Sequence, residues 1–429
     1  MAGDAMMPTT RAGIVAHQDT YLRALLIAID GRNPFYTAKM KAAGLRGADC
    51  DRATFLAQFP FTTKAELVAD HAAHAPFGSN LTFPIERYVR FSQTSGSTGN
   101  PLRWLDTAES WSWMMDSWCH FYRAVGVTPQ DRVFAAFSFG PFLGFWTAFE
   151  AAVRYGCLAI PGGGLSTRGR LEAMRDAGAT VLCCTPTYAL RLGEAAIEEG
   201  IPLPGIRFLF VAGEPGGSIP AVRARLEELW PVAAIIDHHG MTEVGPVSWQ
   251  HPERPQFLHV LETAYLAEII TPNSDKPAAP GMPGELVLTT LGRLGTPLIR
   301  YRTGDVVKAA VQPPKEVPHL ALEGGILGRT DDMVIVRGVN VYPSAIEAVV
   351  RRFSDIAEYR VDLTDERGMA ELAITVEPVK GADGKTVAKN LADELRAALA
   401  LRIPVTTVGA GTLPRFEMKA KRWVKWGGG

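Results

Sequence analysis

The chain has 429 residues, of which 47% are hydrophobic and 21% charged, and its formal net charge is −1. The length predicts at least two domains, and the composition is that of a globular protein, not a disordered one. The charge gives no electrostatic reason to expect a nucleic-acid or anionic-membrane partner. Five cysteines without a Cys-x-x-Cys pair favour a reducing compartment over a disulfide framework or a structural zinc site.

Two features of the sequence bear on localisation. The first residues lack the pattern of a secretory signal, so a cytoplasmic location is expected. Residues 133–149 are apolar and uncharged, but Gly140 and Pro141 interrupt them. We therefore predict a buried strand, a turn and the start of a helix there, and no membrane partner.

The chain begins with amphipathic pieces such as residues 21–30, separated by prolines, and these predict a helical N-terminal layer. A strand-like run, residues 87–93, leads into the loop at 91–101, which is rich in glycine and hydroxyl residues. Such a loop can donate many N–H and O–H groups to a phosphate chain, although a surface turn has the same composition. It is not a Walker A loop, because Asn100 and not lysine follows Gly99.

Residues 132–237 alternate between short apolar runs and helical patterns. The predicted strands are 133–137, 158–161, 181–185, 208–212 and 233–237, and the predicted helices are 169–177, 189–199 and 220–230. This alternation predicts a parallel sheet with crossover helices, whose ligands bind beyond the carboxyl ends of the strands. Residues 213–215 and 238–243 follow two of these strands.

Beyond residue 265 the pattern changes to strands and turns, at 267–270, 284–290 and 306–310. A small α+β unit follows Asp331, with strands at 333–336, 359–363 and 371–376 and helices at 343–353 and 387–401. The predicted fold is therefore α/β: a large N-terminal multi-sheet domain with a parallel core, residues 1–330, and a small α+β C-terminal domain, residues 331–429.

Several motifs share an order and approximate spacing with a known family. They are the loop at 94–99, HHGMTE at 238–243, IRYRTGD at 299–305, the run at 328–347 and LPRFEMKAKRW at 413–423. In this the chain resembles the adenylate-forming enzymes, that is, acyl-CoA synthetases and related ligases. Segments 33–39, 59–64, 184–190 and 213–217 resemble the phenylacetate–CoA ligase branch in particular, so the similarity covers about residues 34–423.

The resemblance implies a function and partners. It implies ATP- and Mg²⁺-dependent conversion of an aromatic carboxylic acid to its acyl-adenylate, with release of pyrophosphate and transfer to coenzyme A. Transfer to an acyl carrier protein's phosphopantetheine, or to the amine or hydroxyl of a small nucleophile, is an open alternative. A non-catalytic nucleotide-binding protein is a further alternative, which the retention of Glu243, Asp305, Arg329 and Lys419 opposes. The resemblance also favours a homodimer.

The resemblance assigns candidate site residues by position. Phosphate binding falls to Thr94, Ser95, Gly96, Ser97, Thr98 and Gly99. Nucleotide binding falls to Gly213, Glu214, Pro215, Asp237, His238, His239, Gly240, Met241, Thr242, Asp305 and Arg329, with Asp305 and Arg329 at the ribose. The acid would meet Phe139, Gly140, Phe142, Ala212 and Tyr188, and Gly240 would help Ala212 to form a wall of small residues.

The resemblance also assigns a metal ligand, a catalytic cation and a hinge residue. Glu243 matches the Mg²⁺-binding glutamate, Lys419 matches the catalytic lysine, and Asp331 matches the hinge about which the small domain rotates. Lys421 and Lys425 compete with Lys419, because Met418 stands where the family commonly has glycine.

Two further departures concern aromatic positions. His239 stands where relatives carry an aromatic residue stacked on adenine, and Phe139 replaces a tyrosine often found at the acid pocket. Adjacent histidines on an extended segment point to opposite sides, so we do not expect His238 and His239 to share a metal.

Overall fold

A computed structural model describes residues 8–94, 101–202, 205–272, 274–337, 339–366, 369–416 and 420–426. Its helices are α1 (Arg11–Ile29), α2 (Pro34–Ala42), α3 (Arg52–Gln58), α4 (Lys64–Ala73), α5 (Ala108–Val125), α6 (Trp146–Tyr155), α7 (Thr167–Ala177), α8 (Pro186–Glu198), α9 (Pro220–Leu229), α10 (Pro343–Val350) and α11 (Gly384–Leu399). Within these ranges no helix combines the length and the apolar character needed to cross a membrane.

The strands follow the same chain order. They are β1 (Tyr88–Gln93), β2 (Arg103–Thr107), β3 (Arg132–Ala135), β4 (Leu158–Pro161), β5 (Val181–Cys184), β6 (Phe208–Ala212), β7 (Ala234–Met241), β8 (Gly245–Gln250), β9 (Phe257–Val260), β10 (Tyr265–Ile270), β11 (Pro283–Thr290), β12 (Tyr301–Lys308), β13 (Ala321–Glu323), β14 (Gly328–Arg329), β15 (Val334–Val336), β16 (Val339–Val341), β17 (Ile356–Glu366), β18 (Met369–Pro378), β19 (Val405–Thr407) and β20 (Trp423–Lys425).

The predicted helical layer is formed by α1 to α4, and side chains cap the start of each helix. Thr10, Asn33, Asp51 and Thr63 each accept a backbone N–H of the first turn, and Thr63 forms a reciprocal capping box with Glu66. Helices α1, α2 and α3 bury apolar residues in a cluster with Leu266, Leu291 and Ile299 of the main body, and Leu67 of α4 joins the central core.

The predicted parallel sheet is the core of an eight-stranded sheet with the order β13-β9-β8-β7-β6-β5-β3-β4. β4, β3, β5, β6 and β7 are parallel, whereas β8, β9 and β13 continue the sheet antiparallel. The antiparallel partner extends β7 to Met241, four residues beyond the predicted end at 237. His238 to Met241 therefore belong to a paired strand rather than to a loop.

A second sheet, β10-β11-β12-β14, is antiparallel and brings Asp305 of β12 opposite Arg329 of β14. The C-terminal unit has its own core, drawn from residues between 334 and 423, with α10 and α11 packed on the sheet β19-β18-β17-β20. These features confirm the predicted fold class, while the exact boundary at 330/331 stays a prediction.

Three buried histidines surround Trp249 of β8. The ring centroids of His120, His319 and His259 lie 4.9, 5.3 and 5.7 Å from that of Trp249. Burial lowers the pKa of His120 and His259 to about 4 and that of His319 to about 3. All three imidazoles are therefore neutral at pH 7.

These histidines make folding sensitive to acid. Because their folded pKa values lie below the unfolded value of about 6.5, the unfolded chain binds more protons, and stability falls as the pH drops from about 6.5 towards 4. We expect His259→Phe to reduce the slope of unfolding free energy against pH by up to about 1.4 kcal/mol per pH unit, measured by urea unfolding between pH 7 and 4.5. Replacing His74, whose side chain is 58% exposed, is the control. A His259→Phe slope equal to the wild-type slope would contradict this account.

Candidate active site

The candidate residues gather at the carboxyl ends of β6 and β7. Gly213, directly after β6, has φ +94°, a conformation that glycine adopts without strain and that turns Glu214 and Pro215 away from the sheet. Neighbouring Gly217 approaches Asp237 so closely that a Cβ atom there would lie 2.7 Å from its side chain. The Asp237 carboxylate accepts a hydrogen bond from Ser218, and burial raises its pKa.

His238 and His239 point to opposite faces of β7, as the alternation of a strand requires. The Nδ1 of His238 lies 2.7 Å from the carbonyl oxygen of Ser248, and its ring centroid is 4.3 Å from that of Trp118. The Nε2 of His239 lies 2.9 Å from Oδ2 of Asp305. Within the described part of the chain, no group of three or more His, Cys, Asp or Glu side chains is placed to hold a metal ion.

Two side chains hold the carboxylate of Asp305. Arg329 donates to its Oδ1 over 2.9 Å, and Nε2 of His239 lies within hydrogen-bond distance of its Oδ2. Burial, the largest influence on Asp305, raises its pKa, but His239 and Arg329 together lower it below its usual value. The carboxylate is therefore anionic and fixed in orientation, and it retains lone pairs for further hydroxyl donors.

Glu243 is buried, with 6% of its surface exposed, and burial raises its pKa despite the nearby Lys64 and Arg329. A cation stabilises the charged form of such a carboxylate, and Mg²⁺ commonly takes one protein carboxylate together with phosphate oxygens. Glu243 therefore fits a magnesium ion shared with a bound nucleotide.

The backbone of Glu243 is fixed by a fully buried ion pair. Arg293 donates to the carbonyl oxygens of Thr242 and Glu243 over 2.9 and 2.7 Å. The same guanidinium binds both carboxylate oxygens of Asp106 at 2.7 Å, and neither side chain of the pair is exposed. Asp106 lies on β2, so the pair joins the β1–β2 hairpin to the turn that carries Glu243.

Lys64 is a site residue to which the sequence analysis assigned no role. Its position is set by Thr62, whose backbone exchanges hydrogen bonds with Arg300 and Arg302 beside β12. Lys64 then begins α4 and lowers the pKa of Glu243 through its charge. The segment at 59–64 resembles the phenylacetate–CoA ligase branch, and this resemblance was the signal that could have indicated a role for Lys64.

Two groups of candidates lie partly or wholly outside the described residues. Ser95, Gly96, Ser97, Thr98 and Gly99 of the loop, and Lys419, are among these. At the edge of the loop, Thr94 donates its N–H to the Leu102 carbonyl, and its Oγ1 accepts the Leu102 N–H at 3.0 Å. This pair of hydrogen bonds closes the hairpin at the base of the loop.

The acid candidates divide into two sets. Phe139 packs its ring against Phe137, Trp146 and Phe149, with centroids 4.4 to 5.2 Å apart, while Phe142 is 39% exposed. Gly140 accepts a hydrogen bond from Trp146, and Ala212 ends β6 beside His238 of β7. Tyr188 is a core residue of α8, with 1% exposure, and its hydroxyl donates to Oγ1 of Thr167.

Glu214 links the main body to the C-terminal unit. Its Oε1 accepts the backbone N–H of Thr187, and its Oε2 accepts that of Ala420, at 2.9 and 2.8 Å. Nearby, Arg422 forms a buried ion pair with Glu358 and reaches Thr187. The hinge candidate Asp331 accepts from Arg329 over 3.2 Å, next to the ribose candidates.

The open groove of about 500 Å³ between α2 and α4 lies apart from these residues. Its polar lining is already paired, because Lys39 binds Glu66 and Asp70 binds His74 and Ser79. We therefore do not assign it to the site.

Comparison with known proteins identifies the family. The AMP-binding enzyme family matches residues 88–292, and the AMP-binding enzyme C-terminal domain matches residues 338–425. Phenylacetate-coenzyme A ligase of Escherichia coli (strain K12) is 30% identical over 405 residues, which are 91% of this chain and 89% of that protein. The chain belongs to the AMP-binding enzymes. Within them it is an AMP-forming acid ligase of the phenylacetate–CoA ligase-like branch, as predicted.

Two solved structures show one relative in different states, and each can be compared with this chain. The postadenylation state of 2-hydroxyisobutyryl-CoA ligase has a TM-score of 0.89 at 27% identity and covers 97% of this chain and 89% of that one. Its thioesterification state with CoA covers 98% and 90% at 28% identity, yet its TM-score is 0.72. The identity and the coverage are nearly the same in the two comparisons, so the overall structure of the ligase described here is more similar to the postadenylation state.

The buried Arg293–Asp106 pair offers a direct test of what supports Glu243. Asp106→Ala leaves a buried guanidinium without its counter-charge, and we expect a loss of about 3–5 kcal/mol in unfolding free energy by urea denaturation. Arg87→Ala, which removes an exposed ion pair with Glu109, should cost no more than about 1 kcal/mol. Equal effects of the two substitutions would show that the buried pair does not hold this region together.

Proposed function

We propose that the protein activates an aromatic carboxylic acid with ATP, forming an acyl-adenylate and pyrophosphate, and then transfers the acyl group to coenzyme A. The observation that carries the proposal is the hydrogen bond from the Ala420 N–H to Glu214, which are 206 residues apart. It joins the segment of the candidate lysine to the segment proposed to line the adenine.

Nucleotide binding is proposed to use the groups at the ends of β6, β7 and β12. Asp305, kept anionic by His239 and Arg329, accepts the ribose hydroxyls, and residues 213–215 line the base. Asp237 and His239 complete this side. Gly240, Met241 and Thr242 form the chain that leads from the base towards the phosphates, whose loop is proposed at 94–99.

Adenylation requires two anionic reactants to meet, because a carboxylate attacks the α-phosphorus of ATP. Catalysis therefore consists of holding the reactants in line and neutralising the phosphate charge. Lys64 and Arg329 contribute positive charge around Glu243, and Glu243 would hold Mg²⁺, which would neutralise phosphate oxygens. Lys419 is proposed to contact the acid carboxylate and the α-phosphate, since lysine presents a compact charge on a long side chain.

The second half-reaction is proposed to follow rotation of the C-terminal unit about Asp331. The C-terminal unit contacts the main body through hydrogen bonds, such as those of Ala420 with Glu214 and of Ser344 with the Leu327 carbonyl, and Ala348 of α10 packs against an apolar cluster of the main body. Hydrogen bonds of this kind can be exchanged for others when the unit rotates. The two TM-scores for one relative in two states support a rearrangement of this kind.

An aromatic acid is favoured by the rings around Phe139 and by the small residues at the ends of β6 and β7. Flat apolar side chains suit a flat ring, and Ala212, Gly213 and Gly240 leave room for one. The name of the E. coli relative supports an aryl acid, whereas that of the structural relative specifies an aliphatic hydroxy acid.

Acid-dependent release of pyrophosphate is the decisive assay. We expect release with aryl acids, and a loss of about two to three orders of magnitude in Lys419→Ala, the scale for removing one preorganised charge-stabilising group. Lys421→Ala, which changes an exposed lysine two residues away, is the matched control and should remain near wild type.

Three outcomes would each change the proposal. No release with any acid would remove the proposed activity, and release with aliphatic acids alone would remove the aromatic substrate. A large loss in Lys421→Ala, with wild-type turnover in Lys419→Ala, would assign the role to the other lysine. Mass spectrometry of products formed with coenzyme A, an acyl carrier protein or small amines then identifies the acceptor.

Lys64 has a signature of its own. We expect Lys64→Met to lower kcat/KM for ATP by about 10- to 100-fold, the scale of a lost hydrogen bond to a charged group. Because Lys64 lowers the pKa of Glu243, its removal should also shift the acidic limb of the pH–rate profile to higher pH. Lys41→Met, at an exposed position on α2, is the control, and an unshifted acidic limb in Lys64→Met would separate Lys64 from Glu243.

A further inference from the structure

The side chain of His238 can form hydrogen bonds, which an apolar residue at this position could not. Its Nδ1 lies 2.7 Å from the carbonyl oxygen of Ser248. A carbonyl oxygen only accepts hydrogen bonds, so Nδ1 carries the proton. Burial lowers the pKa of His238 to about 3, so the ring is neutral at physiological pH and Nε2 is a hydrogen-bond acceptor.

The acceptor nitrogen faces the wall of small residues. A Cβ atom on Gly240 would lie 3.2 Å from His238 Nε2, so this nitrogen lies against the backbone of Gly240. Ala212 is the register partner of His238 on β6. The nitrogen therefore lies beside the two small residues proposed to border the acid.

Successive ring contacts connect His238 to Phe139. His238 contacts Trp118 at 4.3 Å, Trp118 contacts Phe145 at 6.1 Å, and Phe145 contacts Phe137 at 5.6 Å between centroids. Phe137 in turn packs on Phe139 at 4.4 Å. His238 is thus the polar member of an otherwise apolar wall.

Resting on the proposed function, we propose that the acid carries a hydrogen-bond donor, a hydroxyl or amino group on its aromatic ring, which donates to Nε2 of His238. An acceptor in an apolar wall loses free energy when a ligand covers it without supplying a donor. A donor group on the acid avoids that loss. A site built to bind a hydroxyl or N–H therefore rejects the analogue that lacks it far more strongly than an apolar pocket rejects an added hydroxyl.

The test compares matched acids in the pyrophosphate assay. Arylacetic and benzoic acids that differ only in carrying hydroxyl, amino, methyl or hydrogen at one ring position are measured with the full-length protein. We expect at least a tenfold higher kcat/KM for the best hydroxyl or amino acid than for its methyl and unsubstituted counterparts. In His238→Leu this ratio should fall below one, because an apolar side chain favours the methyl compound.

Two conservative variants separate recognition from packing. The side-chain amide of glutamine extends to about the position of Nε2, whereas that of asparagine ends near Nδ1. His238→Gln should therefore keep part of the preference for a donor, and His238→Asn should lose it. ATP affinity is measured in each variant as a check on the nucleotide side.

The outcomes distinguish this inference from the proposed function. If wild-type protein releases no pyrophosphate with any of the acids tested, the proposed function fails. If it prefers methylated or unsubstituted aryl acids, or if the preference for a donor persists in His238→Leu, the inference is wrong while the ligase activity stands.

Discussion

The Arg293–Asp106 ion pair is the constraint on which the geometry of the candidate site depends. One guanidinium binds the carboxylate of β2 and two carbonyl oxygens in the turn between β7 and β8. A buried pair of this kind adds little net stability over apolar packing, but its fixed fork of donors imposes one geometry. It therefore relates the hairpin that bears the proposed phosphate loop to the backbone of Glu243, across different sheets.

The Arg293–Asp106 pair fixes one side of the candidate site, whereas the hydrogen bond from Ala420 to Glu214 on the other side can be broken. Glu214 accepts the backbone N–H of Ala420 in the C-terminal segment with one carboxylate oxygen, and that of Thr187 in the main body with the other. Loss of the Ala420 contact would leave Glu214 anchored and open to water. The main body thus keeps the proposed nucleotide site intact whichever arrangement the C-terminal unit adopts, which a two-step ligase requires.

Local sequence predicted what local interactions determine. The apolar runs at 158–161 and 208–212 coincide with β4, a partly exposed edge strand, and β6, a fully buried strand, because both are short apolar runs bounded by turns. The end of β7 was placed too early, since only pairing with β8 extends a strand through two histidines and a glycine. β12 begins at Tyr301, not 306, for the same reason. The Arg293–Asp106 pair spans 187 residues, and no local pattern indicates it.

The two adjacent histidines show how one strand can serve two substrates. Alternation directs His238 to the apolar layer of α5 and His239 to the carboxylate of Asp305. The register with β8 shifts immediately afterwards, between His239 and Gly240. A substitution at 238 can therefore change the acid without disturbing the ribose clamp at 239. Selectivity for the acid and affinity for the nucleotide are separable properties of neighbouring residues.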